Sequence, residues 1–300
     1  MRSTGLTVLC LFLFACVDTE ELKKDLGGGV EDGAVPDTTA PTPDQFKLTD
    51  SSPTLWKLYA HNQVRLFVID PTGLKAGKPK LDVVGDFKFD ASIPTNERSV
   101  NDIAVTPDGK LYAVSKTTLY QVDPFTAKLT KVTVVKDKND KSPPPNVSLT
   151  FEKSGVLLAS DMAGSLLRIH YKGSKMGQVE NIGHYGSGLG SSGDLVAIQD
   201  GTLFGVSHKG GGASSTDNLL LRINPSTGKA TPVGKIGHGY VWGLAYWAGI
   251  IYGFTSEKNP EGGKLLKIDP KTGKGTLMNE YPYYSTQFWG AAVTPMAPIK

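Results

Sequence analysis

A repeat of about 46 residues constrains the fold of this chain more than any other feature. One repeated element is the hairpin DIAVTPDGKLYAVS, which begins at Asp102 and has relatives further along the chain. The turn glycines of its four copies are Gly109, Gly155, Gly201 and Gly249. They are spaced by 46, 46 and 48 residues. Internal periods of this length, with four short strands in each unit, are typical of β-propellers.

A second repeated element follows each copy of the first. It reads LLKIDPKTGK in its last copy, and its five copies begin at Leu66, Leu119, Leu166, Leu220 and Leu265. Each copy alternates like a strand and then enters a turn. In that turn Asp or Asn accepts a backbone hydrogen bond, Pro presets φ, and Gly takes the left-handed conformation. Together the two elements predict four strands per blade.

The two ends of the repeat region complement each other. The first unit, from Leu55, lacks a first strand, whereas the segment Trp289–Pro295, WGAAVTP, matches WGLAY from Trp242 and has no continuation. Joining the two ends in one blade removes the open sheet edge. The sequence therefore predicts an all-β chain with a single five-bladed propeller across residues 53–298. Each blade has four strands, and the C-terminal strand completes the first blade.

The beginning of the chain predicts export. Arg2 precedes the apolar stretch Leu6–Ala15, which is too short to span a bilayer but suits a secretory signal peptide. Its ending, Leu-Phe-Ala-Cys16, resembles the lipobox of bacterial lipoproteins, which implies cleavage after residue 15 and a lipid on Cys16. The alternative is an ordinary signal peptide with an incidental cysteine. We expect a lipid-anchored protein on the bacterial outer membrane or on another membrane that faces the periplasm.

Residues 16–52 predict a disordered acidic tether. This segment is rich in Pro, Thr and Gly, and it cannot bury enough apolar surface to offset its ordering entropy. Residues 17–50 carry nine acids and three lysines, and the part of the chain after Asp50 carries a net charge of +8. Because the basic residues are scattered rather than clustered, they favour a solubilising role, and no specific binding to nucleic acid is expected.

The motifs PDGKLYAVS and IDPxTGK resemble the repeats of quinoprotein-like, NHL-like and gluconolactonase-like bacterial propellers. The resemblance covers the whole repeat region and implies the fold rather than a chemistry. Quinone-dependent dehydrogenases of this kind have more blades. Metal-dependent lactonases hold a cation with Glu, Asn and Asp at the inner ends of first strands. At those positions this chain has Asn101, Asp102 and Asp194, but no glutamate, and two blades offer Trp-Gly instead. We therefore treat these three residues as candidate ligand-binding positions.

Histidines indicate a second candidate site. His184 and His238 are expected at matching positions in successive blade-to-blade loops, and His61 and His208 in loops between second and third strands. All four are expected on one face. Imidazoles bind transition metals and act as general bases near neutral pH. Since no HxH or HxxxH spacing ties any two together, we expect no cofactor, and a metal ion at His184 and His238 remains the alternative.

Aromatic residues are expected at the same mouth of the central channel. The stretches GHGYVWG and YPYYSTQFWG supply Tyr240, Trp242, Tyr283, Tyr284, Phe288 and Trp289. Amphipathic rings suit stacking on a sugar or gripping a peptide. The alternative is that Trp242 and Trp289 only fill the centre of the ring.

Three functions follow from these patterns. The favoured hypothesis is a membrane-anchored binding or scaffold module of the cell envelope, with a glycan or an envelope protein as partner and with binding favoured over catalysis. The alternative is a metal-dependent hydrolase or lactonase that works at the propeller mouth with His184 and His238. A third hypothesis is a purely structural envelope protein whose rim engages another protein.

Overall fold

The computed structural model describes residues 57–77, 79–137, 146–186, 188–209, 218–256, 262–281 and 287–300. These residues form five four-stranded antiparallel sheets. The chain is thus a five-bladed β-propeller, which confirms the predicted fold class and blade number. The predicted signal peptide, Cys16 and the tether lie outside the described residues and stay predictions. None of the helices in the described ranges is long and apolar enough to cross a bilayer.

Each blade follows the chain from the channel to the rim. Blade 1 contains β1 (Leu58–His61), β2 (Arg65–Ile69) and β3 (Leu81–Asp86). Blade 2 contains β4 (Asp102–Val105), β5 (Leu111–Val114), β6 (Thr118–Val122) and β7 (Leu129–Val134). Blade 3 contains β8 (Asn146–Phe151), β9 (Leu157–Asp161), β10 (Ser165–Ile169) and β11 (Val179–His184).

Blades 4 and 5 follow the same pattern. Blade 4 contains β12 (Leu189–Ala197), β13 (Leu203–Lys209), β14 (Leu219–Ile223) and β15 (Ala230–Lys235). Blade 5 contains β16 (Val241–Trp247), β17 (Ile250–Thr255), β18 (Gly263–Ile268) and β19 (Gly275–Tyr281). The last strand, β20 (Gly290–Ala292), is the innermost strand of blade 1. A short helix α1 (Pro71–Lys75) and a 3-10 turn (Thr95–Glu97) complete the regular structure.

The last strand closes the ring as the sequence predicts. Strand β20 pairs antiparallel with β1, with Ala291 opposite Ala60, and the Trp289 N–H donates to the His61 carbonyl at 2.8 Å. Just after β20, the Thr294 hydroxyl donates to the Thr106 carbonyl of blade 2 at 3.0 Å. The inner strands contact one another in the order β4, β8, β12, β16, β20 and back to β4. The described strands therefore leave no open edge at the junction of the two ends.

The repeated turn has its predicted chemistry in four blades. Asp70, Asp123, Asn224 and Asp269 each accept a hydrogen bond from the backbone N–H two residues further on, at 2.7 to 2.9 Å. A proline follows each of these residues and presets φ for the turn. Blade 3 departs from this pattern because His170 and Tyr171 stand where the others have Asp or Asn and Pro.

Candidate functional site at the channel mouth

Two tryptophans stack at the start of neighbouring inner strands. Trp242 lies in β16, and Trp289 immediately precedes β20. Their ring centroids are 5.4 Å apart, their planes differ by 25°, and both side chains are half-buried. Each ring therefore covers one face of the other, and the pair keeps part of its remaining area accessible. We call it the tryptophan platform.

The glycine after each tryptophan makes this stacking feasible. A Cβ on Gly243 would lie 2.8 Å from the Gly290 carbonyl carbon and 2.9 Å from the Ala291 nitrogen, closer than real Cβ atoms approach backbone. On Gly290 a Cβ would collide with Asp102 Oδ1 and His61 Nε2. The Trp-Gly pairs thus allow two inner strands to approach closely, which brings the rings together.

Asp102 lies in the channel wall beneath this level. It begins β4 and has no exposed surface. Its Oδ2 accepts a hydrogen bond from the Leu149 N–H of β8 at 2.6 Å. An inner strand of a propeller has no partner strand on its channel side. Its N–H groups that face the channel therefore need other hydrogen-bond acceptors. Asp102 supplies one for the neighbouring blade.

Asp194 does the same for two further blades. It lies in β12, where the register with β13 shifts between Ser191 and Leu195, and it is also fully buried. One oxygen, Oδ2, accepts from the Leu244 N–H of β16 at 2.9 Å and from the Ala291 N–H of β20 at 3.2 Å. The other oxygen accepts from the Leu195 N–H at 2.6 Å. A single carboxyl therefore joins the inner strands of blades 4, 5 and 1.

The two carboxyl groups also influence each other's pKa. Burial raises the pKa of Asp102 well above its usual range, and the charge of Asp194 adds to that rise. Burial likewise raises the pKa of Asp194, to about 7, although hydrogen bonds from Asp102 and from the Leu244 and Leu195 N–H groups partly oppose the rise. The raised pKa of Asp102 favours its protonated, neutral form beside Asp194.

His61 completes this buried group. It is the last residue of β1, has no exposed surface, and its Nδ1 accepts a hydrogen bond from the Gln63 N–H at 3.1 Å. The remaining proton is therefore on Nε2, which lies 3.5 Å from Asp102 Oδ1. Burial lowers the pKa of His61 to about 3, so the ring is neutral near pH 7. We call His61, Asp102 and Asp194 the channel cluster.

Serine hydroxyls line the adjacent part of the wall. The Ser160 hydroxyl donates to Ser191 Oγ at 2.9 Å, and the Ser191 hydroxyl donates to the Gly193 carbonyl at 3.0 Å. Ser148 Oγ lies 2.5 Å from Ser160 Oγ and donates to it, because the Ser160 proton is already committed. All three serines are buried. Their protons are used within the wall, which makes this row a structural support.

Several predicted site residues lie around the platform. Asn101 is half-buried directly before Asp102 and donates its N–H to the Val114 carbonyl at 2.7 Å. Tyr240 is half-buried two residues before Trp242 and has a φ of 53°, a left-handed conformation that is unusual for a residue with a side chain. Tyr283 and Tyr284 lie outside the described residues.

The histidines do not lie as the sequence suggested. His61 and His208 belong to strands β1 and β13 rather than to loops, because both second strands extend further than their alternation indicates. His184 is the exposed last residue of β11, where its Nδ1 accepts from the Gly186 N–H at 3.1 Å, and only His238 lies in a loop. In the ranges that the structure describes, no three His, Cys, Asp or Glu side chains are grouped to hold a metal ion. A metal site at His184 and His238 therefore has no third ligand among those residues.

The channel cluster is what sequence reasoning missed. Asp102 and Asp194 were singled out separately, as inner-strand residues 92 positions apart, and His61 as a loop residue. Their convergence follows from the small radius of a five-bladed ring and from the irregular register of β12. The second feature leaves a weak signal in the sequence, the run Gly190 to Gly193, which interrupts strand alternation with small residues.

Comparisons with known proteins do not assign this chain to a family. No protein-family model matches the chain, and no curated protein matches it. Among solved structures, the nidogen/laminin complex is similar at 10% identity, with 79% of this chain and 97% of that chain covered and a TM-score of 0.49. A gluconolactonase from Xanthomonas campestris is similar at 12% identity, with 62% and 77% covered and a TM-score of 0.39.

A third solved structure, TolB from Acinetobacter baumannii, is similar at 13% identity, with 76% of this chain and 54% of that chain covered and a TM-score of 0.41. Similarities of this size do not carry an activity from one protein to another. The assignment of five blades rests on the strand pairing of this chain.

Proposed function

We propose that this protein is an exported, lipid-anchored propeller that binds a glycan of the cell envelope at the tryptophan platform. The observation that carries the proposal is the stacked, half-buried pair Trp242 and Trp289 at the channel mouth. Sugars with equatorial hydroxyls present flat C–H faces, and the outer face of a stacked tryptophan ring matches such a face. A short β-linked oligosaccharide of glucose or N-acetylglucosamine has this shape.

The depth of the channel cluster favours binding over catalysis. Asp102, Asp194 and His61 have no exposed surface, so a molecule at the mouth contacts the tryptophan rings first and not these groups. Both carboxyls are also engaged with backbone N–H groups of neighbouring blades. The cluster therefore supports the platform from below, as it fixes the inner strands that position the rings.

Anchoring at Cys16 supports the same interpretation. A lipid on this cysteine and the acidic tether after it would hold a propeller at the membrane surface, within reach of envelope glycans. Mass spectrometry of the protein purified from membranes tests this part separately. We expect diacylglycerol on Cys16 and its loss in Cys16→Ser. A mature chain that begins elsewhere, without lipid, would contradict the anchor and leave the glycan site as a separate question.

Tryptophan fluorescence titration tests the glycan site. The full chain is titrated with cellotetraose and chitotetraose, and then Trp242→Ala and Trp289→Ala are compared with it. Loss of one aromatic stacking surface, worth about 1 to 2 kcal/mol, predicts about 5- to 30-fold weaker binding for each variant. Trp247→Phe is the matched control, because Trp247 is half-buried at the other end of β16.

Two outcomes would contradict the proposal. One is the absence of binding to either oligosaccharide at millimolar concentration. The other is binding that Trp242→Ala and Trp289→Ala leave unchanged while both variants keep the wild-type circular dichroism spectrum. The second outcome would move the glycan site away from the channel mouth.

A further inference from the structure

A cavity of about 450 Å³ opens on the other face of the propeller, between blades 2 and 3. Its walls are the β4–β5 turn, the β8–β9 turn and the turn after β10. These turns join first to second strands and third to fourth strands, whereas the tryptophan platform lies where inner strands begin. The cavity is thus separate from the platform and independent of the function proposed there. Its volume is in the range of small-molecule sites.

The cavity lies where the sequence repeat is broken. In four blades the third strand ends in Asp or Asn followed by Pro, but blade 3 has His170, Tyr171 and Lys172. Without a proline, Tyr171 packs its ring against Tyr112 at 5.5 Å and against Phe151 at 5.1 Å, both in edge-to-face geometry. Tyr112 and Tyr171 therefore form an aromatic floor of the cavity, with Phe151 buried behind them, and Tyr171 is the part of the floor that stays half-exposed.

Three lysines surround this aromatic floor. Lys110, Lys153 and Lys172 are exposed at the cavity wall, and Lys172 Nζ lies 5.1 Å from the centre of the Tyr171 ring. Asp108 is the one acidic residue in the wall and pairs with Lys110 at 2.9 Å. Over the described residues, neither Lys153 nor Lys172 has a carboxylate within ion-pair distance. The lining residues thus carry three positive charges and one negative charge, a net of +2.

Polar groups of the wall suit the rest of a small ligand. Thr106 donates its hydroxyl to Asp108, which holds the Asp108 carboxylate at the cavity wall, where it can accept hydrogen bonds from ligand hydroxyls. Ser154 also lines the wall, and its hydroxyl makes one weak hydrogen bond, to Glu152 at 3.4 Å. A phosphate group fills only a fraction of the cavity, so there is room for a ring of the size of a hexose.

We propose that this cavity binds a phosphate monoester of a small polar molecule, with a hexose phosphate as the best match. Lys153 and Lys172, which have no carboxylate partner among the described residues, meet the doubly negative phosphate. Lys110 contributes its remaining donors, and the sugar ring lies against Tyr171 with its hydroxyls towards Asp108. Lysine binds phosphate as a compact charge, which suits a shallow site open to solvent.

Isothermal titration calorimetry of the full chain with glucose 6-phosphate, glucose and inorganic phosphate tests this site. We expect glucose 6-phosphate to bind at least tenfold more tightly than either of the other two. Lys153→Ala and Lys172→Ala should each weaken binding of glucose 6-phosphate about tenfold, and raising the salt from 50 to 300 mM should weaken it further. Lys271→Ala is the matched control, because Lys271 occupies the position of Lys172 in the blade 5 turn and is exposed.

Other results would overturn the proposal. The proposal would be wrong if 5 mM glucose 6-phosphate produced neither binding heat in the calorimeter nor chemical-shift changes in NMR spectra of the protein. Equal weakening by Lys271→Ala and Lys172→Ala would show only a diffuse positive charge. If inorganic phosphate bound as tightly as glucose 6-phosphate, the sugar part of the proposal would be wrong. The lysine variants change exposed side chains only, so the test does not depend on a variant that fails to fold.

Discussion

The two faces of this propeller differ in how they depart from the repeat. At the channel mouth, blades 5 and 1 place Trp-Gly where blades 2 to 4 have Asn-Asp, Val-Ser and Gly-Asp, and the result is a neutral aromatic platform over a buried cluster. On the other face, blade 3 replaces the Asp-Pro turn with Tyr171 and Lys172, and the result is a basic cavity. The repeat builds the scaffold, and each departure from it creates a surface with its own chemistry.

Gly290→Ala, a change at the channel mouth, should have the largest effect. The added Cβ would collide with Asp102 and His61, which are held by the inner strands and cannot move aside. We expect a loss of about 3 kcal/mol in the free energy of unfolding, measured with urea, together with loss of glycan binding. Gly201→Ala is the control, because its Cβ meets open space and only the φ of 90° opposes it, for about 1 kcal/mol. Equal losses for the two variants would contradict the crowded geometry at the mouth.

Asp194→Ala should be the next largest effect. The Leu195, Leu244 and Ala291 N–H groups would lose their acceptor in a buried wall, at a cost of about 2 to 3 kcal/mol in the free energy of unfolding. Asp194→Asn keeps one acceptor oxygen and should cost about half as much. The dissociation constant of the folded variants for glucose 6-phosphate should stay within twofold of that of the wild type. A larger change there would mean that the two faces are coupled.

The pH dependence of stability should report the protons of the channel cluster. The pKa of Asp194 is raised from 3.8 to about 7. Its contribution to the free energy of unfolding is therefore full below pH 3.8 and is lost as the pH rises towards 7. His61 has its pKa lowered from 6.5 to about 3, so its contribution is full above pH 6.5 and is lost as the pH falls towards 3. Asp102, whose pKa burial also raises, acts in the same direction as Asp194, and His61 opposes both between about pH 4 and pH 6.5.

Substituting His61 should unmask the carboxyl contribution. In His61→Gln the free energy of unfolding should fall more steeply with rising pH than in wild type, by about 1.4 kcal/mol per pH unit between pH 5 and pH 6. Urea unfolding at half-unit pH steps measures the slope. His170→Gln is the control, since His170 is half-buried on the rim with Glu180 at 3.4 Å. Parallel curves for His61→Gln and wild type would mean that His61 is not held neutral.

Restoring the repeat in blade 3 should have the smallest effect on stability. The double variant His170→Asp, Tyr171→Pro recreates the turn of the other blades, which gains about 0.4 to 1 kcal/mol, but it gives up the ring contacts with Tyr112 and Phe151. We expect a net loss of about 1 kcal/mol or less and at least fivefold weaker binding of glucose 6-phosphate. Unchanged binding would mean that Tyr171 plays no part in the cavity.

The architecture could be predicted from the sequence because the turns of the propeller recur at regular spacing. The glycine spacing set the number of blades, and the match between Trp242 and Trp289 showed how the ring closes. The same match placed both tryptophans at one mouth, and the structure brings their rings into contact. Local patterns repeated in every blade can be identified without knowing any distance across the ring.

Contacts across the channel could not be predicted in the same way. Asp102 and Asp194 belong to different blades, and whether they meet depends on the radius of the ring and on one register shift in β12. His61 looked like a loop residue because Asn62 and Gln63 follow it, yet β1 continues to His61 and buries it beside β20. The cavity was overlooked for a related reason: LLRIHYKGSK was counted as one more copy of the repeat, although its two substituted positions form the cavity.

Closure by β20 determines when the tryptophan platform forms during folding. Strand β20 follows all the other strands in the chain, so it can pair with β1 only after the rest of the blades have been synthesised. Trp289 directly precedes this strand, and Trp242 has no stacking partner until the strand is in place. A glycan that binds the stacked pair binds only the closed propeller and, by mass action, would protect the junction between the first and last blades from opening.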